Sequence, residues 1–409
     1  MSDPMRSVEE HCRVVADLIT PRHAAVLPLS DAEGLALADD VVAPLSLPVF
    51  DNSAMDGYAV LADDLVGASR DRPVSLPVAE DIPAGRTDAL TLKPGTAHRI
   101  MTGAPLPAGA TAVVPVEATS RQDWAGTESV AITAAPRPGQ HIRLAGEDVT
   151  AGTTVLRAGQ FVTPAALGLA AALGLRELSV LPRYRVLVVS TGSELVCAGT
   201  PLRPGQIYES NAVMLAAAVR DAGAEVVAAP MSGDDVTQFA AVLDRYARAS
   251  DLILTTGGVS AGAYEVVKDA LNSDAGGGVE FVKVAMQPGM PQGAGRVAGT
   301  PAITLPGNPV SALVSFEVFV RPALRMAMGL PCPERPRRTA VLTEDLTSPP
   351  GKRQFRRGVL DKAGATVTSY GPPASHHLRW LASANCLLEI PEDVAEVAAG
   401  SQVQVWDLS

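Results

Sequence analysis

From Arg183 onward, short apolar runs alternate with amphipathic stretches, and this pattern limits the possible folds more than any other feature of the chain. "RVLVVS" is a continuous run rich in β-branched residues, as expected for a strand buried on both faces. "SNAVMLAAAVRDAG" then reads as a helix ended by Gly223. "AEVVAAP" (strand), "DVTQFAAVLDRYARA" (helix), "DLILTTGG" (strand) and "YEVVKDALN" (helix) follow. "VEFVKVAM" and "PAITLPG" are further strands, and "PVSALVSFEVFVRPALRMAMG" reads as one long helix. Strands separated by helical crossovers predict right-handed βαβ units. The expectation is an α/β domain over 181–329, with a doubly wound parallel sheet between helices.

The flanks read differently. At 409 residues the chain exceeds one ordinary core. "SVEEHCRVVADLIT" predicts an amphipathic helix, with Ser7 and Glu10 at capping-box spacing and Val8, Cys12, Val15 and Ile19 on one face. Short β-prone runs broken by Pro and Gly then fill 47–149. In "TPAALGLAAALGL" a second helix is expected, with Thr163 as N-cap and Pro164 in the first turn. The β-rich stretch is read as an insertion whose flanks, 1–46 and 150–180, form one discontinuous linking domain. After the Pro-rich linker "LPCPERPRR", period-two runs over 330–409 predict a small β-barrel or sandwich.

Charge narrows the class of partner. With 33 Lys+Arg against 44 Asp+Glu the net charge is −11, and aromatics are only 4% of the residues. Nucleic acid needs a basic face and stacking platforms, so it is not expected. The excess acid suits a divalent cation. The four cysteines show no paired spacing, which argues against structural zinc and a disulfide scaffold. Neither a signal-peptide pattern nor a membrane-length apolar run is seen, so a cytoplasmic protein with no membrane contact is expected.

Three predicted strand ends carry Gly- or Pro-rich turns: "STGSEL" (190–195), "TTGGVSAG" (255–262) and "LPGNPVSA" (305–312). Ligands of open parallel sheets bind beyond the carboxyl ends of the strands, where glycine permits close backbone approach. Three such loops at equivalent positions point to a phosphate-bearing ligand. No Gly-Lys-Ser/Thr or Gly-x-Gly-x-x-Gly follows a strand, which disfavours a P-loop and a dinucleotide redox cofactor. Glu194, Asp234, Asp235 and Glu265 lie beside these ends. "SGDDVTQF" has a plain reading as a capped helix start, while Asp234 with Glu265 could hold Mg²⁺ against phosphate oxygens. "PVFDNSAMDGYAV" (48–60), Thr102 with Gly103, and Glu147 with Asp148 are polar loops of neither helical nor strand period. Seven basic residues between Arg335 and Arg357 are either a solvated face or an anion pocket. His376 and His377 have no companion pair at metal-site spacing, and no Gly-x-Ser-x-Gly elbow occurs.

"DNSAMDGYAV", "RIMTGAPLPAGATAVV", "GEDV", "STGSEL", "GQIYESN", "TTGGVSAG" and "LPGNPVSA", in this order, resemble the molybdopterin molybdenumtransferases, MoeA and the gephyrin E-domain. The resemblance spans nearly the whole chain, more weakly after residue 330. It implies an α/β multidomain chain with a molybdopterin-binding domain and a C-terminal β-barrel. It also implies a homodimer in which the linking domain helps to dimerise. The implied reaction inserts molybdate into adenylated molybdopterin and releases AMP with Mg²⁺ assistance. Matched by motif, Asp56, Thr102, Asp148, Glu194 and Asp234 take the catalytic polar positions, and Asp234 with Glu265 holds the metal. Gly257, Gly258, Ser260, Pro306, Gly307, Asn308 and Ser311 would contact the pterin nucleotide, and Arg357 and Ser375 the molybdate.

Three departures stand out. Gln287 in "QPGMPQG" replaces the lysine of a Lys-Pro-Gly motif, and Ala263 replaces an acid, while Glu265 stands in place of the usual Asp. Gln287 leaves the choice between molybdate and isostructural tungstate open. Expected partners are the pathway's adenylyltransferase and apo-molybdoenzymes. The rival readings are a nucleotidyl enzyme of the adenylyltransferase type and a gephyrin-like scaffold. The extra domains argue against the first, and the lack of a fused partner domain against the second.

Overall fold

The structure, a computed structural model, describes residues 5–120, 128–257 and 278–409. The chain forms two compact units, one of residues 1–26, 34–38 and 179–409, the other of 27–33 and 39–178.

In the first unit the expected alternation is present. Glu225–Ala228, Arg185–Thr191, Leu252–Thr256 and Thr300–Leu305 lie side by side and parallel, in that spatial order. Helices cover both faces, and the residue parity shows it. Val186, Val188, Leu252 and Leu254 share a core with Leu215 and Val219 of helix Asn211–Asp221. Their neighbours Leu187, Val189 and Ile253 pack instead with Phe239 and Leu243 of helix Val236–Tyr246. A strand with apolar side chains pointing both ways needs two helical layers, so its residues run continuously apolar.

Beyond the parallel strands the sheet acquires an antiparallel edge, with Pro291–Val297 next to Thr300–Leu305 and Val279–Lys283 outside it. "PQGAGRV" has no apolar alternation, so its strand character is not legible from pattern. Its glycines serve close packing: a Cβ on Gly295 would lie 2.1 Å from the carbonyl oxygen of Gly278. "YEVVKDALN" lies outside the described residues. The long helix is also interrupted. Pro309–Ser315 and Arg321–Ala327 are joined by a π-helical turn, Phe316–Val320. Pro322 has no N–H to donate to the preceding turn, and a widened turn accommodates that loss.

Ser7 and Glu10 make the expected capping box, with Glu10 N–H on Ser7 Oγ at 3.1 Å and Ser7 N–H on Glu10 Oε2 at 2.9 Å. Helix Val8–Leu18 buries Val8 and Val15, and also His11, whose ring stands edge-on to Phe319 at 4.7 Å. The C-terminal strands Arg337–Leu342, Arg353–Leu360, Thr366–Ser369, Cys386–Ile390 and Gln402–Asp407 close on themselves, because Arg353–Leu360 pairs with both Thr366–Ser369 and Cys386–Ile390. This is the barrel alternative. The short strand Met286–Gln287 adds to it in parallel, setting Gln287 opposite Gln354.

The second unit holds a five-stranded sheet ordered Ala112–Pro115, Gly57–Val60, Ala97–Ile100, Val74–Ile82, Ser129–Ile132. Gly57 has no room for a side chain, since a Cβ would sit 2.0 Å from the carbonyl oxygen of Val114. In the same unit Thr163 caps helix Pro164–Ala172, its Oγ1 accepting from the Ala166 N–H at 3.2 Å.

Candidate functional site

In the first unit the strand register sets three loops level with one another. Ser190 pairs with Thr256, Thr256 with Leu305, and Thr191 with Ser232, so all four strands end at one rim. Gly257 begins its loop at φ +91°, where a Cβ would meet the Thr191 carbonyl oxygen at 2.5 Å. A Cβ on Gly307 would lie 3.4 Å from Gly257 Cα, so these two glycines approach each other backbone to backbone. Thr256 Oγ1 donates to the Pro306 carbonyl at 2.9 Å. Asn211 Nδ2 donates to the Gly307 carbonyl at 2.6 Å and to Thr256 Oγ1 at 3.1 Å. Glu209 is buried and accepts from Ser190 Oγ (2.8 Å) and the Ala212 N–H (2.6 Å).

The acidic pair "DD" divides its labour. Asp235 caps helix Val236–Tyr246 through the Gln238 N–H at 2.9 Å, the plain reading of this stretch. Asp234 remains exposed, and its Oδ2 accepts from the Ser193 N–H at 3.0 Å while its own N–H donates to Ser193 Oγ at 3.0 Å. These reciprocal bonds tie the Ser193–Glu194 turn to the Asp234 turn. Glu194 is also exposed, and its carboxylate lies over Gly192, within 2.7–2.9 Å of where a Cβ would stand. Gly258, Ser260, Ala263 and Glu265 lie outside the described residues. Among the described residues no group of three or more His, Cys, Asp or Glu side chains could cage a metal.

Asn308 Nδ2 donates to Ser375 Oγ at 2.9 Å, and the Val310 N–H donates to the Ser375 carbonyl at 3.0 Å, linking the third loop to the barrel. Pro306 and Ser311 are buried beneath it, whereas Gly307 and Asn308 are exposed. Arg357 is only 4% exposed, and its guanidinium donates to the carbonyls of Ala374 and His377 at 3.1 Å and of Pro372. Burial, followed by the neighbouring Arg356 charge, pushes its pKa down from the ordinary arginine value.

The second unit gathers three of the polar motifs. Strand Asn52–Ser53 pairs with Ile142–Arg143, the Gly103 N–H donates to the Ser53 carbonyl at 2.8 Å, and the Ala145 N–H donates to Asp51 Oδ1 at 2.7 Å. Asp56 Oδ1 accepts from both the N–H (2.7 Å) and the Oγ1 (2.8 Å) of Thr102. Asp148 is exposed on the same strap, its N–H donating to the Leu47 carbonyl at 3.0 Å. Val49, Phe50, Met101 and Leu144, chain neighbours of these residues, stand exposed, which the polar motifs did not announce.

The Thr102 backbone N–H first, then its hydroxyl, hold the Asp56 carboxyl below its ordinary 3.8. Any stability from this linkage is present above that ordinary value and is lost as pH falls through the lowered one. Thr102→Val removes the hydroxyl and keeps the N–H. The Asp56 titration midpoint, followed by NMR of labelled aspartate carboxyl carbons, is expected to rise part of the way back. A midpoint that stays put would show that the hydroxyl bond contributes nothing.

Comparison with known proteins decides the family. Residues 6–174 match the MoeA N-terminal region (domain I and II), 187–326 a probable molybdopterin binding domain, and 339–408 the MoeA C-terminal region (domain IV). The chain is 73% identical over 409 residues to molybdopterin molybdenumtransferase 2 of Mycobacterium tuberculosis, covering 99% of this chain and 100% of that one. The chain belongs to the molybdopterin molybdenumtransferase family. It is 37% identical to molybdopterin molybdenumtransferase 1 of the same organism, over 98% of each chain. A solved structure of a molybdopterin biosynthesis MoeA protein from Pyrococcus horikoshii superposes with a TM-score of 0.81 at 29% identity, covering 99% of this chain and 100% of that one. The molecule is therefore an enzyme, a transferase of molybdenum cofactor biosynthesis.

Within this molybdenumtransferase, several residues do work that motif matching left unassigned. Asn211 and Glu209 fall inside "GQIYESN", and their hydrogen bonds fasten the strand-end loops to one another and to the start of a helix. Gln354 Nε2 donates to Gln287 Oε1 at 3.0 Å, a pairing that follows from strand register between segments 67 residues apart. Among the described residues no helix is long and apolar enough to cross a membrane.

Proposed function

We propose that this molybdenumtransferase binds adenylated molybdopterin over the strand-end loops of its α/β body, inserts molybdenum from molybdate into the dithiolene, and releases AMP with Mg²⁺ assistance. The observation that carries this reading is the shared rim of Ser193–Glu194, Gly257 and Gly307–Asn308, levelled by register and tied by Thr256 and Asn211. Gly257 offers bare backbone there, and phosphate oxygens favour close backbone approach.

The residues fit a magnesium ion. Mg²⁺ takes one or two carboxylates and fills its shell with water and substrate phosphates, so no preformed cage is required. Asp234 is exposed and oriented through one oxygen by the Ser193 N–H, which leaves the other available to hold the ion. Glu265 is the second candidate by sequence position. When bound, the cation supplies neutralisation of phosphate charge as the leaving AMP departs. Asn308 and Ser375 fix the third loop against the barrel, and the Ser193 bonds tie the Ser193–Glu194 turn to Asp234.

The test is incubation with adenylated molybdopterin, Mg²⁺ and molybdate, following AMP together with reconstitution of an apo-molybdoenzyme. Molybdate-dependent AMP release is expected, and its absence overturns the reading. Asp234→Asn is expected to slow release by about 10-fold, with partial recovery at raised Mg²⁺, since removing one of the ligand charges weakens charge stabilisation. Undiminished release in that variant would remove the metal assignment and spare the function.

A further inference from the structure

Helix Val8–Leu18 breaks its own pattern at His11. Val8, His11 and Val15 are the buried residues of this helix, and His11 is 0% exposed. A polar ring at a core position needs hydrogen-bond partners, yet neither Nδ1 nor Nε2 has one. What the ring meets instead is Phe319 of the π turn, edge-on at 4.7 Å. A local rule broken without a structural gain points to a role other than packing.

Protonation changes the balance at this contact. Imidazolium carries a charge and two N–H donors, and the site offers no acceptor to either. Burial, followed by the Arg6 charge, pushes the ring from its ordinary 6.5 down to about 4. The helix packs on the π turn, on helix Arg321–Ala327 and on strand Pro291–Val297. These elements carry Glu317, Arg321, Arg325 and Arg296, and the helix itself carries Glu9, Glu10, Arg13 and Asp17. None of them acts on the ring. Only Arg6 and Glu280 do, in opposite senses, and they are paired with each other at 2.7 Å. The one carboxylate that favours imidazolium therefore already has its cation.

We infer that His11 is an acid-sensitive latch, whose protonation releases helix Val8–Leu18 from the π turn while the sheet and the barrel stay folded. The sign follows from proton linkage. The docked helix holds His11 neutral and the released helix lets it take a proton. Docking is therefore strongest above pH 6.5 and weakens as the pH falls toward 4.

Cys12, the next residue, reports on the latch. Its thiol donates to the Val318 carbonyl of the π turn at 3.7 Å, and burial pushes its pKa up to about 11, which suppresses its reaction while the helix is docked. Cys197→Ser with Cys332→Ser removes the two exposed thiols from the full chain and leaves Cys12 and the buried Cys386 of the barrel. Labelling by 4,4′-dithiodipyridine, a disulfide that reacts in acid, is timed from about pH 7.5 to about 5.5, above the ordinary carboxylate range. Peptide mass spectrometry assigns each site, and each rate is divided by that of the urea-unfolded chain at the same pH. Normalised Cys12 labelling is expected to rise about 10-fold across this range, as uptake of one proton on release requires. Cys386 should not change. His11→Leu and His11→Gln, neither of which titrates, should both give flat Cys12 profiles, with circular dichroism confirming their folds. A Cys12 rate that ignores pH when His11 is present, or an equal rise in both variants, overturns the inference. So does Cys386 labelling that rises in step with Cys12, because the barrel would then be opening too.

Discussion

Gly257→Ala is expected to lower molybdate-dependent AMP release by at least about 100-fold, since a misplacement of about 1 Å at a reacting centre costs that much. At φ +91° a Cβ is strained for any L-residue, at roughly 1–2 kcal/mol. The added carbon would also stand 2.5 Å from the Thr191 carbonyl oxygen and 2.8 Å from its Oγ1. That carbonyl belongs to a central strand held on both sides, so it cannot retreat, and the Gly257 loop must move instead. Gly307 lies against Gly257 backbone, so displacement of one loop disturbs the other. Steady-state kinetics with adenylated molybdopterin measures the effect, with circular dichroism to confirm that the sheet persists. Activity within threefold of wild type would show that the loop has slack and that its conformation does not position the substrate.

Glu317→Ala is expected to destabilise the first unit by about 3–5 kcal/mol, the usual cost of leaving buried charges without their partner. Glu317 is 3% exposed in the π-helical turn and receives Arg335 Nε at 2.8 Å and Arg335 Nη2 at 3.1 Å. Arg321, one turn on, approaches the same carboxylate at 3.8 Å, and its Nε has no other partner. Asp221 also meets both arginines, but it is half exposed and cannot alone neutralise the buried Arg321 and the partly buried Arg335. Urea denaturation of the variant should show the loss as a lower midpoint at unchanged slope. Arg335→Met in the Glu317→Ala background should recover part of it by removing one stranded charge. A loss below about 1 kcal/mol would mean that water enters and solvates the arginines.

The parts of this molecule that could be read in advance are those decided within one element or one turn. The Ser7–Glu10 capping box, the Thr163 cap and Gly223 after Asn211–Asp221 depend on neighbours three or four residues away. Arg185–Thr191 was legible because a strand covered on both faces must be apolar throughout. Pro291–Val297 was not, because its pairing is permitted by glycines that admit a neighbouring backbone, and absent side chains leave no period. The π turn escaped for a similar reason, since Phe316 to Val320 keeps a helical apolar pattern while its hydrogen bonds shift. At the site, motif order picked out the loops and Asp234, but not what Asp235 does. The hydrogen bonds show Asp235 as the helix cap and Asp234 tied to Ser193.

The amino-acid order by itself determined the family, the α/β alternation and the strand-end loops at which a phosphate-bearing ligand would sit, because periodicity and turn chemistry are local and survive in a linear string. The tertiary structure decided which side chains meet across long separations. Asp56 finds Thr102, Asn211 spans to Gly307, and Gln287 faces Gln354 through strand register. It also decided that Arg357, and not its neighbour Arg356, is consumed by backbone carbonyls. Successive residues on a strand point to opposite faces, so neighbours identical in the string enter different surroundings once the barrel closes.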